Sequence, residues 1–239
     1  MPPSSERLTI AGCERNQTDW FRSLADACGG REWVTGPLIW VAPAPDGDAM
    51  LMFPHEIPAE DLRRGVTAAW DQDYSSIGVW LGLDVDPRPL ASAGFERGWQ
   101  PSWMARRTAG DLADVDPRVA LEEATPEYDD HGRCMLRLVT AQPTRTWHAV
   151  ARVDGHQAGR AWAHSDGETI GIYDMAVWPA YRRQGLGRSL LHTVAAAAVA
   201  SSGPLGFVLN ATPEGEHLYA RTGFTRLGEG ATWWLHRPR

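Results

Sequence analysis

The chain has 239 residues, 43% of them hydrophobic, enough to bury one large core or two small ones, and it carries a net charge of −7 at pH 7. That acidity argues against general binding to nucleic acid or acidic membranes, and no apolar run approaches the roughly 18 residues of a membrane span. All 23 basic residues are arginine, which removes lysine-dependent chemistry: no P-loop, Schiff base or pyridoxal site can be built.

The first residues, 1–7, are polar and proline-containing without a hydrophobic signal core, so the expectation is a soluble, cytoplasmic protein. Residues 16–28 have helical spacing, and Leu38–Ala42 and 49–53 read as strands paired across a Pro-Asp-Gly turn. Residues 58–70 read as a helix behind a proline start and 77–83 as a strand, followed by a short segment closing on Gly94-Phe95. A proline- and acid-rich stretch, 109–130, is the expected boundary, dividing the chain into domains 1–110 and 111–239. Cys13, Cys28 and Cys134 are odd in number and lack metal or redox spacing, which favours a reducing compartment over a disulfide framework. The eight histidines form no ligand cluster, so no metal is expected.

Past the boundary, Thr146–Val153 and 158–164 read as strands joined by Asp154-Gly155-His156-Gln157. The next strand, Thr169–Val177, stops at Trp178-Pro179 and enters a helix through Arg182-x-x-Gly185-x-Gly187. A helix start leaves several N–H groups without intrahelical partners and concentrates positive potential, and glycines let an anion approach the backbone closely, so this segment reads as a phosphate cradle. It is not the dinucleotide fingerprint, because Leu190 stands where the third small residue would be and Phe207 where the acid would be. The helix, about 188–202, lines up Leu186, Leu190, Val194 and Ala197 or Ala198 for packing on a sheet. Gly203-Pro204 stops it, 205–210 is a short strand ending at Asn210, and Thr212-Pro213 opens a helix that carries Tyr219 and ends at Thr222-Gly223, before Phe224 begins another strand.

The two signatures, Arg182-x-x-Gly185-x-Gly187 and Leu218-Tyr219-Ala220-Arg221-Thr222-Gly223-Phe224, resemble those of the GNAT superfamily of acyl-CoA-dependent N-acyltransferases. The resemblance implies an α+β fold with a mixed central sheet flanked by helices, and acetyl-CoA as acyl donor. It implies that two neighbouring strands splay to admit the pantetheine arm, with Met175, Ala176 and Val177 as its contacts. Arg182, Arg183, Gln184, Gly185, Leu186, Gly187 and Arg188 would surround the pyrophosphate. Tyr219 fills the position of the family's general acid, which protonates the departing thiolate while an amine attacks the thioester. The glutamate that some members carry in the strand before the tyrosine helix is missing here. Asp174 and Glu168 are the candidate bases, water-mediated deprotonation is the default, and Asn210 could hold the cofactor amide or a water.

The first half repeats the second in weaker form. Aligning Gly94-Phe95 with Gly223-Phe224 sets Leu90 opposite Tyr219, and no Arg-x-x-Gly-x-Gly precedes the matching helix. The N-terminal half is therefore expected to be a degenerate GNAT-like unit that shapes the acceptor site or forms a homodimer contact. The acceptor would be an amine on a small molecule or peptide. A longer acyl-CoA or an aminoacyl-tRNA as donor, and a non-catalytic CoA-binding module, are the competing readings.

Overall fold

The structure is a computed structural model that describes residues 8–45, 47–107, 116–125, 127, 128 and 130–237. Much of the expected boundary stretch, residues 108–115 with Pro126 and Asp129, lies outside the described residues.

The first half contributes α1 (Ile10–Cys28), β1 (Arg31–Thr35), β2 (Leu38–Ala42), β3 (Ala49–Met52), α2 (Ala59–Trp70), β4 (Ser76–Leu81), α3 (Arg88–Ser92), β5 (Glu96–Arg97) and β6 (Ser102–Arg106). The second contributes β7 (Val119–Leu121), α4 (Asp130–Ala141), β8 (Thr146–Val153), β9 (His156–Ser165), β10 (Thr169–Val177), α5 (Leu186–Ser202), β11 (Gly206–Ala211), α6 (Pro213–Arg221), β12 (Thr225–Glu229) and β13 (Ala231–His236). The predicted strands and helices are present, most to within a few residues at their ends, although α1 starts well before the predicted 16. β1, β5, β6, β7, β13, α3 and α4 were not anticipated.

One sheet has the order β1-β2-β3-β4-β13-β5 and the other, read from the same side, β7-β8-β9-β10-β11-β6-β12. Apart from β7, the two orders correspond strand for strand, and in each the third and fourth strands of the half, β3 with β4 and β10 with β11, run parallel. The strand ending each half lies in the sheet of the other: β13 sits between β4 and β5, and β6 between β11 and β12. A cut at residue 110 therefore does not divide the molecule into its compact units. Those units are Met1–Gln17 with Trp103–Leu227, and Thr18–Ser102 with Gly228–Arg239. Sequence proximity suggested the simpler division, but hydrogen bonding along β6 and β13 overrides it.

In the unit built on β1–β5 and β13, β4 is buried along its whole length, as a strand between two neighbours must be, and pairs residue for residue with β13 from Ser76↔His236 to Leu81↔Ala231. Trp40, Leu51, Ile77, Val79 and Leu90 form its core. α2 packs close to β2 because Gly65 has no side chain: a Cβ there would lie 2.1 Å from the Trp40 ring.

In the unit built on β6–β12, β8 and β9 meet in a hairpin whose two turn residues, Asp154 and Gly155, have φ of 51° and 81°, matching the right-handed strand twist. Small residues on the sheet, Ala149, Ala151, Ala161 and Ala163, let α5 settle against it through Leu186, Leu190 and Val194. On α1, Asn16 donates to the Thr169 carbonyl at 3.1 Å and accepts from the Tyr173 hydroxyl at 2.5 Å, tying the helix to β10. Cys28 and Cys134 are half-cystines, which corrects the expectation that disulfides play no part. Cys13 is a free, buried thiol, and burial pushes it up to about 12. No helix among the described residues is long and apolar enough to cross a membrane.

Candidate active site

β10 and β11 pair only at Thr169↔Gly206, Ile170↔Phe207 and Gly171↔Val208. Both strands continue past that point, β10 to Val177 and β11 to Ala211, without further pairing to each other. The ladder between β10 and β9 is also interrupted, by a register shift between Tyr173 and Ala176. Asp174 sits in that shift with φ of 41°, a left-handed conformation that bends the strand and redirects its backbone groups. The parallel pair thus parts at its carboxyl end, where ligands of such sheets are bound. Met175, Ala176 and Val177 lie on the half-buried edge of this opening.

The chain leaves β10 through Trp178 and a single 3₁₀ turn, Pro179–Tyr181, and reaches Gly185, which caps the start of α5 with φ of 83°. The site of a Cβ on Gly185 has no atom within 4 Å, so this face of the helix start is open. α5 begins there, and the N–H groups of its first turn have no intrahelical acceptors. Arg183 is itself left-handed, with φ of 65°, and Arg182, Arg183, Gln184 and Arg188 are exposed around the opening. A Cβ on Gly187 would lie 3.1 Å from Leu218 of α6, so its lack of a side chain also eases helix packing.

Two contacts hold the loop. Arg182 Nε donates to the Val177 carbonyl at 3.1 Å, and Arg118, just before β7, donates to both the side-chain and main-chain oxygens of Gln184 at 3.0 and 3.3 Å. Arg118 is in turn gripped by Asp116 through two bonds of 2.9 and 2.7 Å, and these hold the Asp116 carboxyl down at about 2.

Tyr219 lies on α6, which opens as the sequence predicts: Thr212 Oγ1 accepts from the Gly215 N–H at 3.2 Å and Pro213 occupies the first turn. The tyrosine is only 8% exposed, with its ring edge-on to Phe224 at 5.7 Å. Burial pushes its phenol up to about 12, so it stays protonated throughout the neutral range. Asn210, near the end of β11, gives its amide N–H to Gln17 Oε1 at 2.6 Å.

The two candidate bases are both engaged. Glu168 precedes β10 at the end remote from the opening and pairs with Arg15 at 3.0 Å. Asp174 pairs with Arg160 of β9 at 2.7 Å. The Arg160 guanidinium is surrounded by the rings of Tyr128, Trp162 and Trp178, at 5.2, 5.2 and 5.6 Å from their centroids. Arg160, Tyr128 and Trp178 line a depression of about 390 Å³ together with Glu127, His156 and Gln157. Behind it, the Tyr128 hydroxyl is 2.6 Å from His148 Nε2, and His148 Nδ1 lies 2.8 Å from the Glu122 carbonyl. Nδ1 therefore carries the imidazole proton and Nε2 accepts from Tyr128. Burial lowers His148 to about 4 and raises Tyr128 to about 12.

This geometry coincides with a family match. Residues 144–226, which run from the turn before β8 into β12, match the acetyltransferase (GNAT) domain. The segment 144–226 is a GNAT domain. The mycothiol acetyltransferase of Salinispora arenicola is 33% identical over 136 residues, which cover 55% of this chain and 38% of that protein. The chain spans less than half the length of the curated relatives it matches. Among solved structures, a GCN5-related N-acetyltransferase from Kribbella flavida superposes with a TM-score of 0.63 at 15% identity over 95% of both chains. A tandem GNAT protein from the clavulanic acid biosynthesis pathway superposes with a TM-score of 0.59 at 14% identity over 97% of both. These structural likenesses concern the fold, and both sheets of this chain share in it.

The first half repeats the GNAT sheet without its opening. β3 and β4 stay paired from Ala49↔Ile77 to Met52↔Trp80, and the Phe53 N–H extends the ladder to the Trp80 carbonyl at 3.0 Å. Where the GNAT domain parts, this half is zipped shut.

Sequence reasoning missed Arg160 and Arg118. Each had a weak signal: Arg160 is a lone cation in an alanine-rich strand, and Arg118 follows an aspartate by two residues, the spacing of a local Asp–Arg grip.

Proposed function

We propose that the chain binds acetyl-CoA at the GNAT domain and transfers its acetyl group to a primary amine. The observation that carries this reading is the alignment of two features along one strand: β10 parts from β11 at Gly171, and its exit loop delivers Gly185 with an open helix N-terminus. The residues fit the group. The first-turn N–H groups of α5 and the flanking Arg183 and Arg188 offer donors and positive charge to a pyrophosphate, and an N-cap glycine with clear space lets it approach. The unpaired edge of β10 at Met175–Val177 offers backbone partners to the amide groups of a pantetheine arm.

When bound, acetyl-CoA supplies a thioester activated toward amines. The chain's own part is to orient it, hold a proton and admit the acceptor. Tyr219 keeps its proton at neutral pH and is placed in the family's signature to give it to the departing sulfur. Asp174 and Glu168 are both in ion pairs, so the amine's proton leaves through water. The depression beside Arg160 and Trp178 adjoins the same strand and is the place proposed for the acceptor.

The test is a screen of amines, including the acceptors of enzymes called mycothiol acetyltransferase, for thiol release that depends on acetyl-CoA. Acetyl-CoA at about 100 times its Kd should also stabilise the chain by roughly 2.7 kcal/mol, a rise of a few degrees in Tm. No thermal shift and no thiol release with any amine would reject the reading.

A further inference from the structure

The bulge at Asp174 needs an explanation that the cofactor alone does not provide. A residue other than glycine held at φ of 41° is strained, and such conformations persist only where the surroundings enforce them. Here the enforcing group is visible. Arg160 stands on β9 directly opposite Ala176, one side of the register shift, and its guanidinium reaches back to the Asp174 carboxylate at 2.7 Å. Three aromatic rings from separate places in the chain, Tyr128, Trp162 and Trp178, fix that guanidinium in turn. Tyr128 is itself fixed by His148 at 2.6 Å and by Gln157 at 3.1 Å. A flexible surface arginine could not restrain a strand, but a caged one can.

We propose that Arg160 is a positioning residue: its ion pair with Asp174 holds the bulge of β10 in its left-handed conformation and so keeps the cleft for the pantetheine arm open. On this inference Asp174 acts through backbone shape, and its carboxylate takes no proton from the amine. Trp178 joins the cage to the exit toward the cradle, so the clamp sets both the bend of the strand and the point where the loop begins. The inference rests on the acetyl-CoA reading above for the role of the cleft, but the clamp itself can be tested without ligand.

The experiment uses the full chain with Arg160→Met, Asp174→Ala and Asp174→Gly. Two quantities are read: amide hydrogen exchange in the ligand-free protein, and acetyl-CoA affinity by calorimetry together with kcat for the best acceptor. Arg160→Met and Asp174→Ala should speed exchange across residues 172–177, leave β8 protected, and weaken acetyl-CoA by about tenfold. Asp174→Gly should weaken acetyl-CoA less than Asp174→Ala does, because glycine takes φ near 41° without strain.

Unchanged exchange and affinity in Arg160→Met would overturn the clamp. So would Asp174→Gly with intact affinity and a collapsed kcat, the signature of a carboxylate acting as base. If Arg160→Met fails to fold, Arg160→Gln takes its place, and values equal to the parent's overturn the clamp equally. A parent chain that binds no acetyl-CoA would sink the cofactor reading, while the exchange data still decide whether Arg160 holds the bulge.

Discussion

The carbonyls of Leu90 and Tyr219 accept the same hydrogen bond in the two halves: the Phe95 N–H reaches the first and the Phe224 N–H the second, each at 3.0 Å. The glycines before those phenylalanines match as well, with φ of 87° and 88°. One helix-ending turn is therefore built twice, and only the second copy carries a phenol. Tyr219→Phe preserves that turn and the packing against Phe224, so Tm should move by no more than a degree or two. If the hydroxyl protonates the leaving sulfur, kcat should fall by about 10² or more with acetyl-CoA affinity unchanged. Single-turnover rates are the measurement, since product release can mask the chemical step. A rate within about threefold of the parent would leave the phenol without a catalytic part.

The same phenol and the buried imidazole give opposite pH dependences. Tyr219 titrates near 12 in the fold against an ordinary 10.0, so the folded chain keeps a proton that the unfolded chain releases first. Its contribution is whole below pH 10 and is lost as pH rises toward 12. His148 titrates near 4 against 6.5, so here the unfolded chain takes up the proton first. That contribution is whole above pH 6.5 and is lost as pH falls toward 4, by up to about 3 kcal/mol. Melting curves from pH 4 to 8 should show the loss, and His148→Gln, which still offers Tyr128 an acceptor, should flatten it. An acid limb unchanged in that variant would show that other groups cause it.

Because β3 and β4 remain zipped through Phe53, the first half has no cleft to fill. Calorimetric titration with acetyl-CoA should saturate at one molecule per chain. Two sites of equal affinity would mean that the ladder between Met52 and Trp80 opens in solution.

A chain split at the apparent domain junction should fail in a specific way. Residues 1–110 would lack β13, which separates β4 from β5, and 111–239 would lack β6, which separates β11 from β12. Each fragment expressed alone should be insoluble or show broad, non-cooperative melting, because a central strand position with unpaired backbone groups is exposed. Co-expression of the two should restore a soluble pair with a cooperative transition. A cooperative transition in the isolated fragment 111–239 would contradict this.

Local chemistry made most of the elements legible. The caps at Thr212 and Pro213, the turn at Asp154-Gly155 and the stops at Gly203 and Gly223 are written in residues whose backbone preferences allow few alternatives. The open start of α5 was legible for the same reason, since Gly185 states its own conformation. What stayed hidden depends on partners distant in the chain. The exchange of β6 and β13 leaves no trace in either strand's own pattern, because a buried strand reads alike whichever sheet receives it. Arg160 gave only a weak signal: its neighbours Tyr128, Asp174 and Trp178 are brought around it only by the fold. Gly187 shows the reverse case, a residue whose motif spoke of phosphate while its neighbour Leu218 supplies a packing reason for it.

The place of β13 between β4 and β5 also bears on synthesis. During translation β1 to β5 emerge early, yet β13, which completes their sheet, follows only after the whole second sheet has been made. Until then β4 presents an open edge of unpaired backbone groups on a mostly apolar strand, the kind of edge that pairs with whatever strand is near. Native pairing of β4 with β13 must therefore wait until β13 has emerged, and the outcome depends on β13 reaching β4 before another strand does.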